Sequence, residues 1–478
     1  MAKIVNQGSA LPAGSPMARN TILLVASTAV SKLLTFICIL AITRYLGPEL
    51  FGKYSFAYAL VAMLSFGSEL GLSSFTMREV AADPASARLF FPNIMAVRLL
   101  LALVTFGLVV ALGRMVTHDP SARVAIVLFA VAMLLDALAD GLTSFQYAFQ
   151  RMGFPCAATT ARAVVVLGAV LLSARLHMGL GFIVGATAIG SVAAVAVLFL
   201  APSGEFWTPR PSLHFGFMYP MLVNALPYAG MALITNMYFR IDILMLSKMK
   251  GDAETGLYGA AYRIMESLLF ISTAVNTAAL PAMSAMLATA PEKVHVMYRS
   301  SLRWLVLLGL PMAEGLTVLA QPVMALLGKG FIVAAPVLQV LSWALLLIFI
   351  NHLTGVVLTA VGWQRLLVKV FAIALAANVA LNLLLIPPYG RMGAAWVTLL
   401  CECALLPALL LLARSHLRLT ELVHGLWRPC VAAAGMGCFC WYFAGLSLAA
   451  VVPCGAAVYG LLLLVCNVLR PDPRAEVI

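Results

Sequence analysis

Apolar segments of about twenty residues recur along the whole chain, and short polar connections separate them. A helix of about that length crosses the hydrocarbon core of a bilayer. The pattern therefore predicts about fourteen transmembrane helices. They fall near residues 20–46, 54–75, 92–113, 124–147, 156–175, 180–200, 219–247, 256–281, 302–327, 333–361, 366–386, 392–413, 425–446 and 449–469.

The segments indicate helices rather than a barrel. Every backbone polar group in a bilayer core must be satisfied within the protein, so only helices and closed β-barrels can span it. A barrel strand reads as an alternating segment of about ten residues, and the sequence shows no such pattern. The connections are too short to fold as a soluble domain. We therefore expect an all-α integral membrane protein.

Composition and charge agree with a chain surrounded by lipid. Hydrophobic residues make up 63% of the 478 residues and charged residues 10%, whereas about 25% of the residues in soluble domains are charged. The formal net charge is +12, but the basic residues stand singly between apolar segments. This distribution predicts loop charges that set topology rather than a nucleic-acid site. More Lys and Arg residues fall on the cytoplasmic side when both termini are placed in the cytoplasm.

The nine cysteines do not predict a metal site. Most of them lie inside apolar segments. The C-x-C pairs Cys401/Cys403 and Cys438/Cys440 place their two members about 200° apart around a helix, which suits one shared metal poorly. We interpret the cysteines as small apolar packing residues.

Short motifs of the first half of the chain recur in the second half. Six helices form each half, and because six is even, both halves begin on the same side of the membrane. The repeat is therefore parallel, a transporter plan with the substrate site between the halves. The aligned pairs are Gly47 with Gly251 and GKYSFAY (52–58) with GLYGAAY (256–262) at a displacement of 204 residues, and HMGLG (177–181) with YGRMG (389–393) at 212.

The helices and the repeat together predict the domain organisation. The first 19 residues lack the layout of a signal peptide. The predicted order is a cytoplasmic N-terminal tail (1–19), an N-lobe of helices 1–6 (20–201), an inter-lobe linker (202–218), a C-lobe of helices 7–12 (219–413), helices 13–14 (424–470) and a cytoplasmic C-terminal tail (471–478).

Ionisable residues within the apolar segments are the candidates for function. A charge at bilayer depth costs at least about 2.5–3.5 kcal/mol, so such residues face the bundle interior or a wet cavity. The twelve candidates are Lys32, Glu69, Arg98, Asp136, Asp140, Arg162, Arg240, Asp242, Arg263, Glu266, Glu314 and Glu402.

Four of the six candidates in the first half are considered together. Arg98, Asp140 and Arg162 are all expected near the cytoplasmic face, so that two cations surround one anion. Asp136 lies one turn from Asp140 on the same helix face. The two aspartates could hold Na⁺ or a proton in a coupled transporter, or they could neutralise the arginines.

Asp242 and Arg263 flank the predicted turn near residue 252. At 1.5 Å per residue, each lies about 15 Å from that turn. Their equal depth predicts an ion pair that orients the hairpin, and Arg263 could also touch the substrate. Glu266 belongs with Asp242 among the acids that could form ion pairs or couple transport to an ion.

Lys32 lies near the middle of the first helix, and no carboxylate is expected at its depth. It is therefore the leading candidate for binding an anion such as a phosphate, and Arg240 is similar. Glu69 and Glu402 are expected to reach water at helix ends. Glu314 follows Pro311, which frees a backbone carbonyl and marks a bend.

Four stretches of the sequence resemble one transporter family, in the same order along the chain. They are SKLLTFICILAITRYLGPELFGKYSFA (31–57), RIDILMLSKMKGDAETGLYGAAYRIMESLLFI (240–271), LPMAEGLTVLAQPVMALLGKGFIVAAPVLQVLSW (310–343) and NVALNLLLIPPYGRMGAAWVTLLCE (378–402). The family is that of the Wzx-type polysaccharide flippases. It belongs to the superfamily that also contains multidrug-and-toxin (MATE) exporters and the lipid II flippase.

The resemblance implies a V-shaped fold of two six-helix lobes plus two C-terminal helices that offer a groove to a lipid tail. It implies alternating-access transfer of an undecaprenyl-pyrophosphate-linked oligosaccharide from the cytoplasmic to the periplasmic leaflet of the bacterial inner membrane. Lys32 matches a basic position that lines the cavity in relatives. The other candidate cations for the pyrophosphate are Arg98, Arg162, Arg240 and Arg263. This chain lacks a dense arginine cluster in helices 1 and 2.

Two other functions are weighed against this one. A cation-coupled exporter of small molecules would use Asp136 and Asp140. An enzyme of envelope assembly would need a nucleophile–base pair or metal-ligand spacing, and none stands out. We therefore expect no enzyme, no cofactor and no nucleic-acid partner, with H⁺ or Na⁺ coupling left open. The expected partners are the lipid-linked oligosaccharide, membrane lipids, and a polysaccharide polymerase with its chain-length regulator.

Overall fold

The computed structural model describes residues 16–201, 230, 232–418 and 427–466. Every regular element in this part of the chain is helical. The α-helices are α1 (Pro16–Leu64), α2 (Leu72–Ala82), α3 (Ala87–Val116), α4 (Pro120–Ala148), α5 (Gly153–Arg175), α6 (Leu180–Phe199), α7 (Ile241–Lys250), α8 (Asp252–Leu268), α9 (Phe270–Thr289), α10 (Pro291–Val318), α11 (Ala320–Leu327), α12 (Ala335–Ala360), α13 (Gln364–Ala413), α14 (Trp427–Tyr442) and α15 (Leu448–Val465). Residues 232–238 are also helical.

Ten spans among the described residues are long and apolar enough to cross a membrane, so the protein is a multi-pass membrane protein. Parts of the predicted helices 219–247, 425–446 and 449–469 lie outside the described residues. The predicted count of fourteen therefore stays a prediction. The predicted linker 202–218 and C-terminal tail 471–478 also lie outside.

Two predicted helix pairs are joined by a single glycine rather than by a loop. In α1 the break is at Gly47 (φ 67°, ψ 176°), and in α13 it is at Gly390 (φ 55°, ψ −132°), which follows two prolines. A positive φ of this kind is open to glycine at little steric cost. The sequence pattern predicted both pairs of helices but gave each a connecting loop of several residues.

Other boundaries also differ from the prediction. The predicted helix 54–75 is interrupted by a 3₁₀ turn at Ser65–Ser68 and by Gly71 (φ 76°) before α2 begins. The predicted helix 302–327 begins eleven residues early, at Pro291, because Pro is well accommodated in a first helical turn.

The described helices form two compact units. The first contains residues up to 42 and 60–233, and the second contains residues 43–59 and those from 234 onward. In the first unit, Leu72, Ile94 and Phe145 are completely buried in a shared core. In the second unit, α12 is largely apolar and buries Leu345 and Phe349 completely.

Two glycines make reciprocal contacts inside the second unit. A Cβ atom on Gly52 would lie 1.8 Å from the backbone oxygen of Asp252, and a Cβ atom on Gly256 would lie 1.8 Å from the backbone oxygen of Pro48. The displacement of 204 residues relates both pairs. Gly251 (φ 86°, ψ −177°) also has nearly the backbone conformation of Gly47. The repeat found in the sequence is therefore present here as a two-fold, self-complementary contact.

The C-terminal helices are attached to the rest of the second unit by a hydrogen bond to α10. Pro311 cannot donate to the carbonyl of Leu307, which is left free within the helix. The Tyr459 hydroxyl of α15 donates to that Leu307 oxygen at 3.0 Å. The freed carbonyl expected near Pro311 is present, and a side chain of another helix satisfies it.

We predict that Gly52→Ala and Gly256→Ala each lower the apparent unfolding temperature of the purified protein. The added methyl group must push apart two backbones in contact, which corresponds to a cost of about 1–3 kcal/mol. The control is Gly355→Ala in α12, where nothing lies within 4 Å of the added Cβ atom. That variant should be neutral or slightly stabilising. Equal unfolding temperatures for all three variants would contradict the close contact.

Candidate functional site

Lys32 stands alone on α1. Its side chain is exposed, and no hydrogen bond or ion pair involves it within the part of the chain that the structure describes. The neighbouring Ser31 is buried. Lys32 therefore has a charge available to a ligand, as expected from the sequence.

The intramembrane charges of the first unit pair differently from the expected arrangement. Arg162 binds Asp136 through two contacts, with Nη1 2.6 Å from Oδ1 and Nη2 donating to Oδ2 at 2.8 Å. Asp140 is exposed and takes no part in that pair. The carboxylate of Asp136 is thus already neutralised by an arginine in a bidentate geometry.

Arg98 is completely buried in the first unit. Its Nη2 donates to the Ser73 hydroxyl at 2.8 Å, and Nη1 lies 3.4 Å from the carbonyl oxygen of Ala137. The acidic residues that interact with it electrostatically are Asp140 and Glu69. Arg98 is therefore enclosed by protein in this structure, and its predicted role in binding the cargo stays a prediction.

The second unit contains a cluster of Tyr58, Arg240, Arg263 and Glu266, which we call the Tyr58 cluster. Glu266 receives Arg240 Nη2 at 2.5 Å and Arg263 Nη1 at 2.9 Å. The Arg263 guanidinium lies 3.7 Å from the centre of the Tyr58 ring, and that of Arg240 lies 5.1 Å from it. Two cations share one anion, so the cluster carries one net positive charge beside an aromatic face that favours cations.

Arg240 has hydrogen-bond donors that no acceptor among the described residues uses. Its Nε and Nη1 atoms are buried and have no hydrogen-bond acceptor among the described residues. Buried donors without a partner cost about 1–3 kcal/mol, and more when charged. An anionic ligand with several oxygen atoms would satisfy them.

A break in a helix places Arg240 at this position. Residues 232–238 are helical, Phe239 and Arg240 form a turn, and α7 begins at Ile241. The Tyr262 hydroxyl donates to the Phe239 carbonyl at 2.9 Å and so satisfies a backbone group that the break leaves free.

The expected ion pair between Asp242 and Arg263 is not formed. Arg263 pairs with Glu266 on its own helix. Tyr258 and Tyr262 share the face of α8 that points toward the Asp242 side, and Arg263 lies about 100° around the helix from Tyr262. Equal depth along two helices does not fix their rotation, which explains the wrong prediction.

Asp242 is instead held by neutral donors. Oδ1 receives the Asn382 amide at 2.8 Å, and Oδ2 receives the hydroxyls of Thr398 at 3.0 Å and Tyr258 at 3.1 Å. Asn382 and Thr398 lie eight residues before and eight after Gly390, about 12 Å along each arm of α13. The chain reversal at Gly390 thus brings both arms to one carboxylate.

A second carboxylate lies one turn beyond Thr398. Glu402 is 2% exposed, so the expectation that it reaches water is wrong. Its Oε1 receives the Tyr238 hydroxyl at 2.9 Å, and Oε2 receives the Asn351 amide at 2.7 Å. The acid lies among three helical segments rather than at a helix end.

Sequence reasoning missed the neutral polar residues of these sites. Tyr258 and Tyr262, like Asn378 and Asn382, are spaced by four residues and so share a helix face. The Asn382 amide also donates to Asn378 at 2.8 Å. Pairs of Tyr or Asn residues four positions apart within apolar helices were the sequence signal that could have identified these sites. Among the described residues, no group of three His, Cys, Asp or Glu side chains can hold a metal ion.

Comparisons with known sequences indicate a single superfamily. The family described as polysaccharide biosynthesis protein matches residues 17–287, more than half of the chain, and the MatE family matches residues 227–384. The succinoglycan biosynthesis transport protein ExoT of Rhizobium meliloti (strain 1021) is 25% identical over 352 residues, which are 71% of this chain and 69% of that protein. The protein of Haloferax volcanii named "Probable low-salt glycan biosynthesis flippase Agl15" is 25% identical over 165 residues, 34% of this chain and 35% of that protein.

The fold agrees with these sequence matches. The lipid II flippase MurJ, solved in an inward closed conformation, is similar with a TM-score of 0.75. The similarity covers 93% of this chain and 98% of that one at 13% identity. At this identity the comparison establishes the fold, which is that of a membrane transporter.

We predict that Glu266→Gln destabilises the second unit. Two guanidinium groups would remain side by side without a counter-charge, at a cost of about 3 kcal/mol. Thermal unfolding of the purified protein measures the effect. The control is Glu79→Gln, which removes an exposed ion pair with Arg78 and should cost less than about 1 kcal/mol. Similar losses in both variants would mean that Glu266 does not hold the cluster together.

Proposed function

Because this chain belongs to the family of polysaccharide biosynthesis proteins, we propose that it is a flippase for a lipid-linked oligosaccharide. Its cargo would be an undecaprenyl-pyrophosphate-linked unit of O-antigen, capsule or exopolysaccharide. It would move this unit from the cytoplasmic to the periplasmic leaflet of the bacterial inner membrane by alternating access, with both of its own termini in the cytoplasm. The names of two curated relatives, a succinoglycan transport protein and a glycan flippase, support a role in glycan transport.

The observation that carries the proposal is the positive Tyr58 cluster with the unsatisfied donors of Arg240. A pyrophosphate offers several anionic oxygens, and the planar guanidinium binds such groups through two parallel hydrogen bonds. Binding would satisfy Arg240 Nε and Nη1 and neutralise the excess charge of the cluster. Lys32 of the first unit is proposed separately as an anion-binding residue, because its exposed side chain has no ion-pair partner among the described residues.

The alternative is a cation-coupled exporter of small molecules. It would use Asp136 and Asp140 of the first unit, but Asp136 is occupied by Arg162. A carrier of cationic drugs would place an accessible, unpaired acid in its cargo site, whereas the charges of the Tyr58 cluster sum to one positive charge. The geometry therefore favours an anionic cargo.

Asp242 is the carboxylate that we propose for coupling transport to Na⁺ or H⁺. It is buried, it has only neutral donors as partners, and the Asn382 Oδ1 beside it is buried without a donor. Carboxylate, amide and hydroxyl oxygens together suit a hard cation. Asp136 and Glu266, by contrast, are engaged in ion pairs with arginines.

The function can be tested in a deletion strain that accumulates labelled lipid-linked oligosaccharide. We expect the unit to be inaccessible to a periplasmic glycan-modifying enzyme in the deletion strain and accessible again when this protein is restored. If access does not change but sensitivity to cationic drugs rises on deletion, the exporter alternative replaces the flippase.

We predict that Arg240→Ala reduces transport of the lipid-linked unit in that assay by at least about tenfold. The variant loses charge-assisted hydrogen bonds worth about 1.5–3 kcal/mol. Arg240→Lys should restore transport only partly, because a point charge lacks the fork of donors. Lys32→Ala should also reduce transport, while Lys250→Ala at the exposed end of α7 should not. Wild-type transport by Arg240→Ala protein that is correctly inserted would remove the Tyr58 cluster from cargo binding.

We also predict that Na⁺ raises the unfolding temperature of the wild-type protein relative to K⁺ and that Asp242→Asn abolishes this effect. A ligand of the folded state stabilises by RT ln(1 + [Na⁺]/Kd), about 2.7 kcal/mol at a hundredfold excess over Kd. Glu314→Gln, an intramembrane acid elsewhere in the same unit, is the control and should keep the response. A Na⁺ response that survives in Asp242→Asn would exclude Asp242 as the Na⁺ site.

A further inference from the structure

Glu402 is a buried acid that the proposed cargo site does not use. Among the described residues no Lys, Arg or His forms an ion pair with it, and the side chains that hydrogen-bond to it, Tyr238 and Asn351, are neutral. An isolated carboxylate in a low-dielectric interior is so costly that the group takes up a proton instead. A carboxyl group enclosed in this way, with only neutral partners, is a candidate to carry a proton.

The partners of Glu402 come from three separate segments. Tyr238 ends the helical residues 232–238, Asn351 lies on α12, and Glu402 lies on the second arm of α13. The Asn351 amide donates to the side chain of Glu402 and, at 3.1 Å, to its backbone carbonyl. Asn351 thus fixes the acid from one side, and the Tyr238 hydroxyl closes the other.

The closing residue is adjacent to the helix break that carries Arg240. Tyr238 is the last helical residue before the turn at Phe239 and Arg240. A ligand that draws Arg240 away from Glu266 would shift this turn, and Tyr238 would move with it. This movement would uncover the carboxyl group, and entry of water would then favour the charged form of Glu402.

We infer that Glu402 is a proton-binding site of the transport cycle, which takes up a proton when Tyr238 and Asn351 enclose it and releases that proton to water when the turn at residues 239–240 moves. The bond that breaks is the O–H bond of the Glu402 carboxyl group, and the carboxylate keeps the electron pair. The cycle in which this proton is used is that of the proposed flippase function. The binding of the proton itself does not depend on the identity of the cargo.

The other titratable groups of the surrounding helices can be told apart from Glu402. Asp242 on α7 is bound to Asn382 and Thr398, and the hydroxyls of Tyr258 and Tyr262 on α8 are bound to Asp242 and to the Phe239 carbonyl. The remaining groups are Cys401 on α13, the ring of His352 on α12, which packs against Phe239, and the ion-paired Arg240, Arg263 and Glu266.

The proton site can be tested without any glycan. Infrared difference spectra of the protein in lipid nanodiscs, recorded as the pH is raised, should show loss of the C=O stretching band of a protonated carboxylic acid. We expect this component to be absent in Glu402→Gln and retained in the matched control Glu314→Gln. In Tyr238→Phe, which leaves the acid in place, the band should move to higher frequency because the carbonyl loses a hydrogen bond. Identical spectra for wild type and Glu402→Gln would overturn the assignment.

A transport measurement then distinguishes a failure of the proton site at Glu402 from a failure of the proposed flippase function. In proteoliposomes loaded with lipid-linked oligosaccharide, the wild-type rate should vary with pH, and Glu402→Gln should be slower by about tenfold and insensitive to pH. Wild-type pH dependence in Glu402→Gln would overturn the role in the cycle. If wild-type protein moves no lipid-linked glycan but the infrared band behaves as expected, the proposed function fails and the proton site stands.

Discussion

The interior of a bilayer offers no water, so each charge that enters it must be neutralised by the protein or reserved for a ligand. This constraint accounts for most of the polar architecture. Asp136 is matched by Arg162, and Glu266 is shared by two arginines. Against that background the residues without such a match are the informative ones. Among them are Lys32, the unsatisfied donors of Arg240, and the carboxyl groups of Asp242 and Glu402, which have only neutral partners.

The helix break at residues 239–240 concentrates three of these features in five positions. Tyr238, Arg240 and Asp242 point to three different environments: the Glu402 carboxyl, the Tyr58 cluster and the oxygen-rich pocket formed by both arms of α13. In an unbroken helix these three side chains would keep fixed positions relative to one another. The break leaves the Phe239 carbonyl without a partner in its own helix, and the Tyr262 hydroxyl donates a hydrogen bond to it. In the proposed function, the sites for cargo, cation and proton would thereby be connected through one short piece of backbone, as in other transporters with broken helices.

The sequence correctly predicted an all-α membrane fold and supplied the inventory of intramembrane charges, but it did not predict how those charges pair. Periodic apolar length predicts a transmembrane helix whatever its neighbours are, and the repeat follows from matched glycines such as Gly47 and Gly251. Rotation about the helix axis is set by packing, so equal depth wrongly paired Asp242 with Arg263. Glu402 was wrongly assigned to water because its enclosure comes from Tyr238 and Asn351, far away in the chain. The prolines and glycines predicted that the helices would break, but not that a single residue such as Gly390 could form the whole connection between two helical arms.

The reciprocal contact of Gly52 with Asp252 and of Gly256 with Pro48 has a consequence for how such a chain can arise. An isologous contact is satisfied by two copies of one segment. A half-length chain with the turn Gly47–Pro48 and a glycine five residues after Gly47 would already contain both sides of it. Two such chains inserted in the same orientation could meet through this patch as a homodimer. Fusion of two such chains would keep the contact intact, and each half could then carry different charges, as the two halves of this chain do.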